Sequence, residues 1–154
     1  PSSFKRNAMT HFIIPIIRMS AICLIVTICH QGWSQVYFPL EKDYADYIQT
    51  LIGGEREVQV ESGRIDLLTD EYAIEIKRAP RWKEAVGQSL WYALQKVKKP
   101  GIILILENPR EYKYFQQLNS ALEYANLAHK VKVWAYPYDF EHLIQNTQTE
   151  QDDK

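Results

Sequence analysis

Two carboxylates and a lysine stand on two short, neighbouring β-favouring runs of this chain. Asp66 belongs to the first run, and Glu75 and Lys77 belong to the second. Carboxylate oxygens are hard ligands that suit Mg²⁺ or Mn²⁺, and a lysine beside them can orient an attacking water and offset developing negative charge. These are the parts that phosphodiester hydrolysis requires, so the three residues are the predicted catalytic group.

The register of the predicted hairpin determines whether these side chains meet. If Asp70 and Glu71 are the two central turn residues, cross-strand partners have numbers that sum to 141, and Asp66 lies opposite Glu75. Directly opposed side chains share one face of the sheet, with Cβ atoms about 5 Å apart. Lys77 is two residues beyond Glu75 and therefore shares that face. The two acidic side chains would repel each other unless a cation sits between them.

The helical pattern that follows supplies further polar groups. Gln88 and Tyr92 are four residues apart and therefore lie on one helix face. Over residues 77–99 the only acidic residue is Glu84, whereas seven residues are positive. A basic stretch beside two carboxylates favours a metal-dependent enzyme that acts on a polyanion. The candidates for nucleic-acid contact are Arg78, Arg81 and Lys83.

The sequence resembles the PD-(D/E)-x-K nuclease superfamily, in its variety with a Gln-x-x-x-Tyr helix motif. The segments that carry the resemblance are Gly-Arg-Ile-Asp-Leu-Leu at 63–68, Ala-Ile-Glu-Ile-Lys at 73–77 and Gly-Gln-Ser-Leu-Trp-Tyr at 87–92. Ile65 stands where the family usually has proline.

The resemblance implies a restriction-endonuclease-like fold and a role for each matching residue. Asp66 and Glu75 would be metal ligands and Lys77 the catalytic lysine, while Gln88 and Tyr92 would support the site or contact the nucleic-acid backbone. Many members also place a glutamate of the first helix near the metal, and Glu41 is the candidate here. The backbone carbonyl of Ile76 could add a further oxygen ligand.

The remaining pattern predicts an α/β domain around these residues. Apolar spacing predicts helices over 39–54, from residue 80 to a Pro100-Gly101 stop, and over 110–129. Alternating or continuous apolar runs predict strands over 55–61, 65–69, 72–78, 102–106 and 131–136. The order α-β-β-β-α-β-α-β combines an antiparallel hairpin with parallel crossovers, which predicts a mixed central sheet flanked by helices.

Composition and charge agree with one globular domain. The chain has 154 residues, 46% hydrophobic and 24% charged, with a formal charge of −1. From Gln35 onward there are 15 positive and 19 negative residues. That excess of negative charge argues against tight, non-specific coating of DNA, so nucleic-acid contact should be local. The two cysteines, Cys23 and Cys29, provide neither a disulfide framework nor a cysteine-based zinc site.

The two ends of the chain differ from this domain. Residues 1–34 have the layout of a secretory signal, with Arg18 before an apolar run and small residues at a cleavage position. An uncleaved membrane anchor is the alternative. A genuine leader implies export to the periplasm or medium, and a misassigned start implies a cytoplasmic protein. The domain is predicted over 35–143, followed by a polar, disordered tail over 144–154.

The expected function is metal-dependent endonuclease activity, with DNA favoured over RNA, Mg²⁺ or Mn²⁺ as cofactor and no nucleotide cofactor. One alternative is a catalytically inactive nuclease-fold module that binds nucleic acid or protein. Another is an exported interaction domain, in which the hairpin charges form a solvated ion-pair face. A homodimer is left open.

Overall fold

The computed structural model describes the backbone of residues 38–152 and the side chains of residues 38–147. The leader predicted over 1–34 lies outside the described residues. Within the described range, no helix is long and apolar enough to cross a membrane.

The described chain is a mixed α/β protein with five strands and four α-helices, joined in places by short 3-10 turns. The helices are α1 (Glu41–Ile52), α2 (Trp82–Lys96), α3 (Tyr112–Tyr124) and α4 (Glu141–Asp152). The strands are β1 (Glu55–Val60), β2 (Gly63–Leu68), β3 (Tyr72–Arg78), β4 (Lys99–Ile105) and β5 (Lys132–Tyr136).

All five strands form one mixed sheet in the order β1-β2-β3-β4-β5. The pairs β1-β2 and β2-β3 are antiparallel, and the pairs β3-β4 and β4-β5 are parallel. Leu67 pairs with Ile74 and Leu68 with Ala73, which is the register predicted from the Asp70-Glu71 turn. The carboxyl ends of the three parallel strands meet at one edge of the sheet, and the candidate site lies there, at the end of β3.

Each face of the sheet is covered by two helices. On one face, α1 and α4 pack against the even-numbered residues of β3, with Tyr44, Ile48, Ile74 and Ile76 in the shared core. On the other face, α2 and α3 cover a second cluster around Ile102 and Leu104 of β4, Ala85 of α2 and Leu118 of α3. Because β3 is covered on both faces, Glu75 and Lys77 near its end are buried although they are charged residue types.

Two predicted boundaries are wrong. Helix α2 ends at Lys96, where Val97 takes a left-handed conformation with φ of 54°, and Pro100-Gly101 lies inside β4 instead of stopping the helix. Pro100 is tolerated there because it lies near the start of the strand. Helix α3 likewise ends at Tyr124, short of the predicted residue 129.

The polar tail predicted from residue 144 is instead part of helix α4, which continues to Asp152. Leu143 and Ile144 at its start pack against the core beneath α1. Two apolar side chains in the first turn are therefore enough to dock a helix whose composition is otherwise polar, a tertiary effect that composition does not reveal.

Candidate active site

The ammonium group of Lys77 is the centre of the candidate site. Its Nζ lies 3.0 Å from Asp66 Oδ2 and 3.1 Å from Glu75 Oε2. It also donates to the carbonyl oxygen of Ile76 at 3.3 Å and lies 3.8 Å from Glu41 Oε1. The four oxygens belong to the residues that the sequence singled out as metal ligands, and they converge on one cation.

Asp66 lies in an irregular part of β2, and its predicted pairing with Glu75 is absent from the observed β2-β3 register. Neither the β1-β2 register nor the β2-β3 register includes it, and Glu57, which would pair with it, has a positive φ of 62°. The Asp66 side chain compensates, because its Oδ2 accepts the backbone N–H of Ile76 at 2.9 Å. The side chain is therefore fixed toward β3, where it lies close to the carboxyl of Glu75.

Glu75 is the buried member of the group. Its exposed fraction is 1%, and its Oε1 has no hydrogen-bond partner among the described residues. Burial is the main reason that the pKa of the Glu75 carboxyl is raised to about 8; the nearby charge of Asp66 also raises this pKa, and Lys77 lowers it. The carboxyl therefore holds a proton at neutral pH unless additional positive charge arrives at the site.

The protonation of Lys77 follows from the same contacts. Burial disfavours the charged ammonium, but the negative charges of Asp66 and Glu75 outweigh that effect and raise the pKa of Lys77 above its ordinary value. Lys77 is therefore a cation at neutral pH, with only 8% of its side chain exposed. It acts as an electrostatic group and a hydrogen-bond donor in this arrangement.

Glu41 reaches the site from the first turn of α1. Its Oε2 accepts the backbone N–H of Arg78 at 3.0 Å, and its Oε1 lies 3.5 Å from Arg81. Arg78 in turn pairs with Glu107 at 2.9 Å and donates to the carbonyl of Pro39 at 2.6 Å. The start of α1 is thus tied to the ends of β3 and β4, which holds Glu41 beside Lys77.

The donor set can be compared with what a divalent ion needs. Asp66, Glu75 and the Ile76 carbonyl offer hard oxygens, and the unpartnered Oε1 of Glu75 is an acceptor without a donor. Within residues 38–152, however, no group of three or more His, Cys, Asp or Glu side chains is placed to hold a metal by itself. The residues therefore fit an ion that takes two carboxylates and completes its coordination with a carbonyl, water and phosphate oxygens.

The remaining predicted residues lie in different surroundings. Tyr92 is 5% exposed and packs with Ile65, Ala73 and Ala93, where its hydroxyl occupies the space that a Cβ of Gly63 would need. This Tyr92 contact joins α2 to β2 and makes the tyrosine a packing residue.

The other polar candidates lie at the end of β3 and in the first half of α2. The Oε1 of Gln88 is buried without a hydrogen-bond partner among the described residues. Arg81 pairs with Glu84 at 2.5 Å and with Glu41 at 3.5 Å, so both of its carboxylate partners belong to this chain. Arg78 likewise pairs with Glu107. Of the three predicted basic contacts, Lys83 alone makes no ion pair with the part of the chain that the structure describes.

Two residues that organise the site were missed by sequence reasoning. Arg56 of β1 has a side chain only 10% exposed; it donates to the backbone carbonyl of Asp66 and pairs with Asp46 at 3.1 Å. Glu107, two residues after β4, holds Arg78. Neither has a local signal, because each contact joins residues ten or more positions apart in the chain.

The fold and the site together define a mixed α/β protein with a carboxylate–lysine cluster at the carboxyl end of a central strand. No protein-family model matches the chain, and no solved structure matches it.

Similar segments occur in three proteins of Acanthamoeba polyphaga mimivirus. KilA-N domain-containing protein L33 is 43% identical over 54 residues, which is 35% of this chain and 22% of that protein. KilA-N domain-containing protein R878 is 51% identical over 43 residues, covering 28% and 12% of the two chains. KilA-N domain-containing protein L32 is 38% identical over 69 residues, covering 45% and 18%. The matched segments thus span about a fifth or less of each relative's length.

Proposed function

We propose that this protein hydrolyses phosphodiester bonds of nucleic acid, with DNA favoured over RNA, and that it depends on Mg²⁺ or Mn²⁺. The observation that carries the proposal is that Asp66, Glu75 and the Ile76 carbonyl converge on the Lys77 ammonium at the end of β3. The resemblance to PD-(D/E)-x-K nucleases and the helix–three-strand–helix–strand order support it. The proposed fold class is restriction-endonuclease-like.

Asp66, Glu75 and the Ile76 carbonyl would hold the metal, with Glu41 as a further carboxylate. When bound, such an ion supplies a Lewis acid for the phosphate and lowers the pKa of a coordinated water. Additional positive charge at this point also stabilises the ionised form of Glu75, whose proton would otherwise remain at neutral pH.

Lys77 contributes through its charge. Its three N–H groups donate to Asp66, Glu75 and the Ile76 carbonyl, which hold the ammonium in place and, through the charge of Asp66 above all, keep it protonated. As negative charge develops on the phosphate in the transition state, the fixed ammonium stabilises it at no cost of reorganisation. Asp66 contributes differently, because its Oδ2 accepts the Ile76 N–H and so anchors the end of β3 that carries Lys77.

Cleavage of plasmid and single-stranded DNA by the full chain tests this proposal, with Mg²⁺, with Mn²⁺ and with EDTA. Lys77→Met and Asp66→Asn are the informative variants. The asparagine keeps an oxygen that can accept the Ile76 N–H, so the fold is retained while the charge is lost. We expect both variants to lose at least 100-fold in cleavage rate, in line with the loss of one electrostatic group in other enzymes.

Glu71→Gln is the matched control. Glu71 is 56% exposed and pairs with Lys99 at 2.6 Å, at the opposite end of β3 from the site. Its removal should leave cleavage unchanged. Folded wild-type protein that cuts neither DNA substrate with either metal, nor RNA in parallel, would contradict the proposal.

A catalytically inactive module that binds nucleic acid is the second candidate. It is favoured by the same ammonium, because Lys77 already pairs with Asp66 and hydrogen-bonds to Glu75, as it would in a purely structural cluster. Binding of DNA without cleavage by the wild-type protein would select this candidate.

A further inference from the structure

Two tyrosines form an exposed aromatic pair beside the candidate site. Tyr112 is 43% exposed and Tyr138 is 41% exposed, and their ring centroids lie 6.2 Å apart with the planes at 85°. Phe115 supports Tyr112 from within α3, at a centroid distance of 5.4 Å. Large apolar side chains that stay at the surface as a contiguous group commonly mark a binding site.

The pair lies at the same edge of the sheet as the carboxylate–lysine cluster. Tyr112 begins α3 shortly after β4, Tyr138 follows β5, and both strands run parallel to β3. Adjacent strands are about 4.8 Å apart, so β5 lies only about 10 Å from β3 across this edge. Hydrogen bonds also connect the two places, because Glu107 pairs with Arg78 and its backbone N–H donates to Glu111, the residue before Tyr112.

Two exposed cations lie beside Tyr112 in the chain. Neither Arg110 nor Lys113 makes an ion pair with any residue in the described part of the chain, although the Lys113 ammonium lies 4.9 Å from the centre of the Tyr114 ring. The acidic side chains of Glu111 and Asp139 accept backbone N–H groups, from Glu107 at 2.9 Å and from Ala135 at 2.7 Å. Two cations without an acidic partner among the described residues are therefore next to an aromatic surface.

We propose that the Tyr112–Tyr138 pair binds an unpaired base, which stacks on one ring and meets the perpendicular ring at its edge, so that the substrate class is nucleic acid with a single-stranded segment at the site. This inference rests on the proposed function and specifies its substrate. An aromatic ring can stack only on a base whose face is free, and base–aromatic stacking is the usual way in which proteins hold single strands without reading sequence. Paired bases in a duplex present only their edges in the grooves.

Binding, measured apart from cleavage, tests this inference. Fluorescence anisotropy of a labelled 12-nucleotide deoxythymidine oligomer, and of a duplex of the same length, is followed with the full chain in EDTA and in Ca²⁺. The variants are Tyr112→Leu and Tyr138→Leu, which keep apolar bulk but remove the aromatic ring. Tyr124→Leu is the control, because Tyr124 is 96% exposed at the far end of α3.

We expect tighter binding of the single strand than of the duplex, and a fivefold or greater loss of single-strand affinity for each site variant. Duplex affinity and the control variant should be unchanged. Equal losses for both oligomers, no loss in either variant, or no binding of the single strand in either buffer would overturn the inference.

The outcome is distinguishable from a failure of the proposed function. Ring-dependent single-strand binding without cleavage would remove the proposed hydrolysis and keep the stacking surface. If the wild-type protein cleaves DNA but neither leucine variant changes single-strand binding, the stacking surface is overturned and the proposed hydrolysis stands.

Discussion

The buried carboxyl of Glu75 should make the stability of the metal-free protein fall as pH rises toward 8. In the folded chain its pKa is raised to about 8, chiefly by burial, whereas in the unfolded chain it returns to about 4.5. Between these values the folded state keeps a proton that the unfolded state has released. Because the folded state then binds more protons, the free energy of unfolding decreases with increasing pH.

The size of this decrease follows from the pH range over which Glu75 is protonated only in the folded state. Each pH unit over which only one state is protonated corresponds to about 1.4 kcal/mol. From pH 5.5 to pH 8 the expected decrease is therefore about 3 kcal/mol. The exposed carboxylates with lowered pKa values, among them Asp46, Glu71 and Glu84, titrate below this window and change stability little within it.

Glu75→Gln isolates this effect, since the amide resembles the protonated carboxyl in shape and does not titrate. Urea unfolding of the full chain in EDTA, followed by tryptophan fluorescence at half-unit pH steps, measures it. We expect the Glu75→Gln profile to be nearly flat from pH 5.5 to pH 8, while Glu71→Gln keeps the wild-type slope. Parallel profiles for wild type and Glu75→Gln would refute the assignment of a buried, protonated carboxyl.

Three further substitutions test the packing around the site by urea unfolding. Gly63→Ala should destabilise the protein by about 2 kcal/mol, because the added Cβ would lie 2.1 Å from the hydroxyl of Tyr92; an unchanged midpoint would contradict this close contact. Gly87→Ala is its opposite, since nothing lies within 4 Å of that Cβ, and alanine in the middle of α2 should stabilise by about 0.5 to 1 kcal/mol. Arg78→Met should cost about 1 to 3 kcal/mol by removing a partly buried ion pair and a bond to a backbone carbonyl, whereas Arg110→Met should be nearly neutral.

Much of the sheet could be predicted because its signals are local. The two-residue turn and the period-two alternation together determine the β2-β3 register, and the observed Leu67–Ile74 pair confirms it. The continuous apolar run of β4 indicated burial on both faces, which the structure confirms for residues 102–105. In contrast, Pro100 and Gly101 are typical helix-stop residues by composition, yet the parallel pairing with β3 extends the strand through them.

The candidate site, too, could be predicted only where the signals are local. That Asp66, Glu75 and Lys77 share one face follows from their spacing alone. Whether Tyr92 joins them does not, because the same helical face can meet either the site or the apolar cluster over β2, and the packing against Gly63 selects the latter.

By itself, the sequence determined the order of the elements from α1 to β5, the register of the hairpin and the residue types brought to its end, since each depends on neighbours a few positions apart. Only the tertiary structure decided that Glu75 is protonated, that Arg56 and Glu107 support the site, and that α4 docks through Leu143 and Ile144. Burial and ion pairing depend on which remote elements cover a residue, and that is settled only when the helices close over both faces of the sheet.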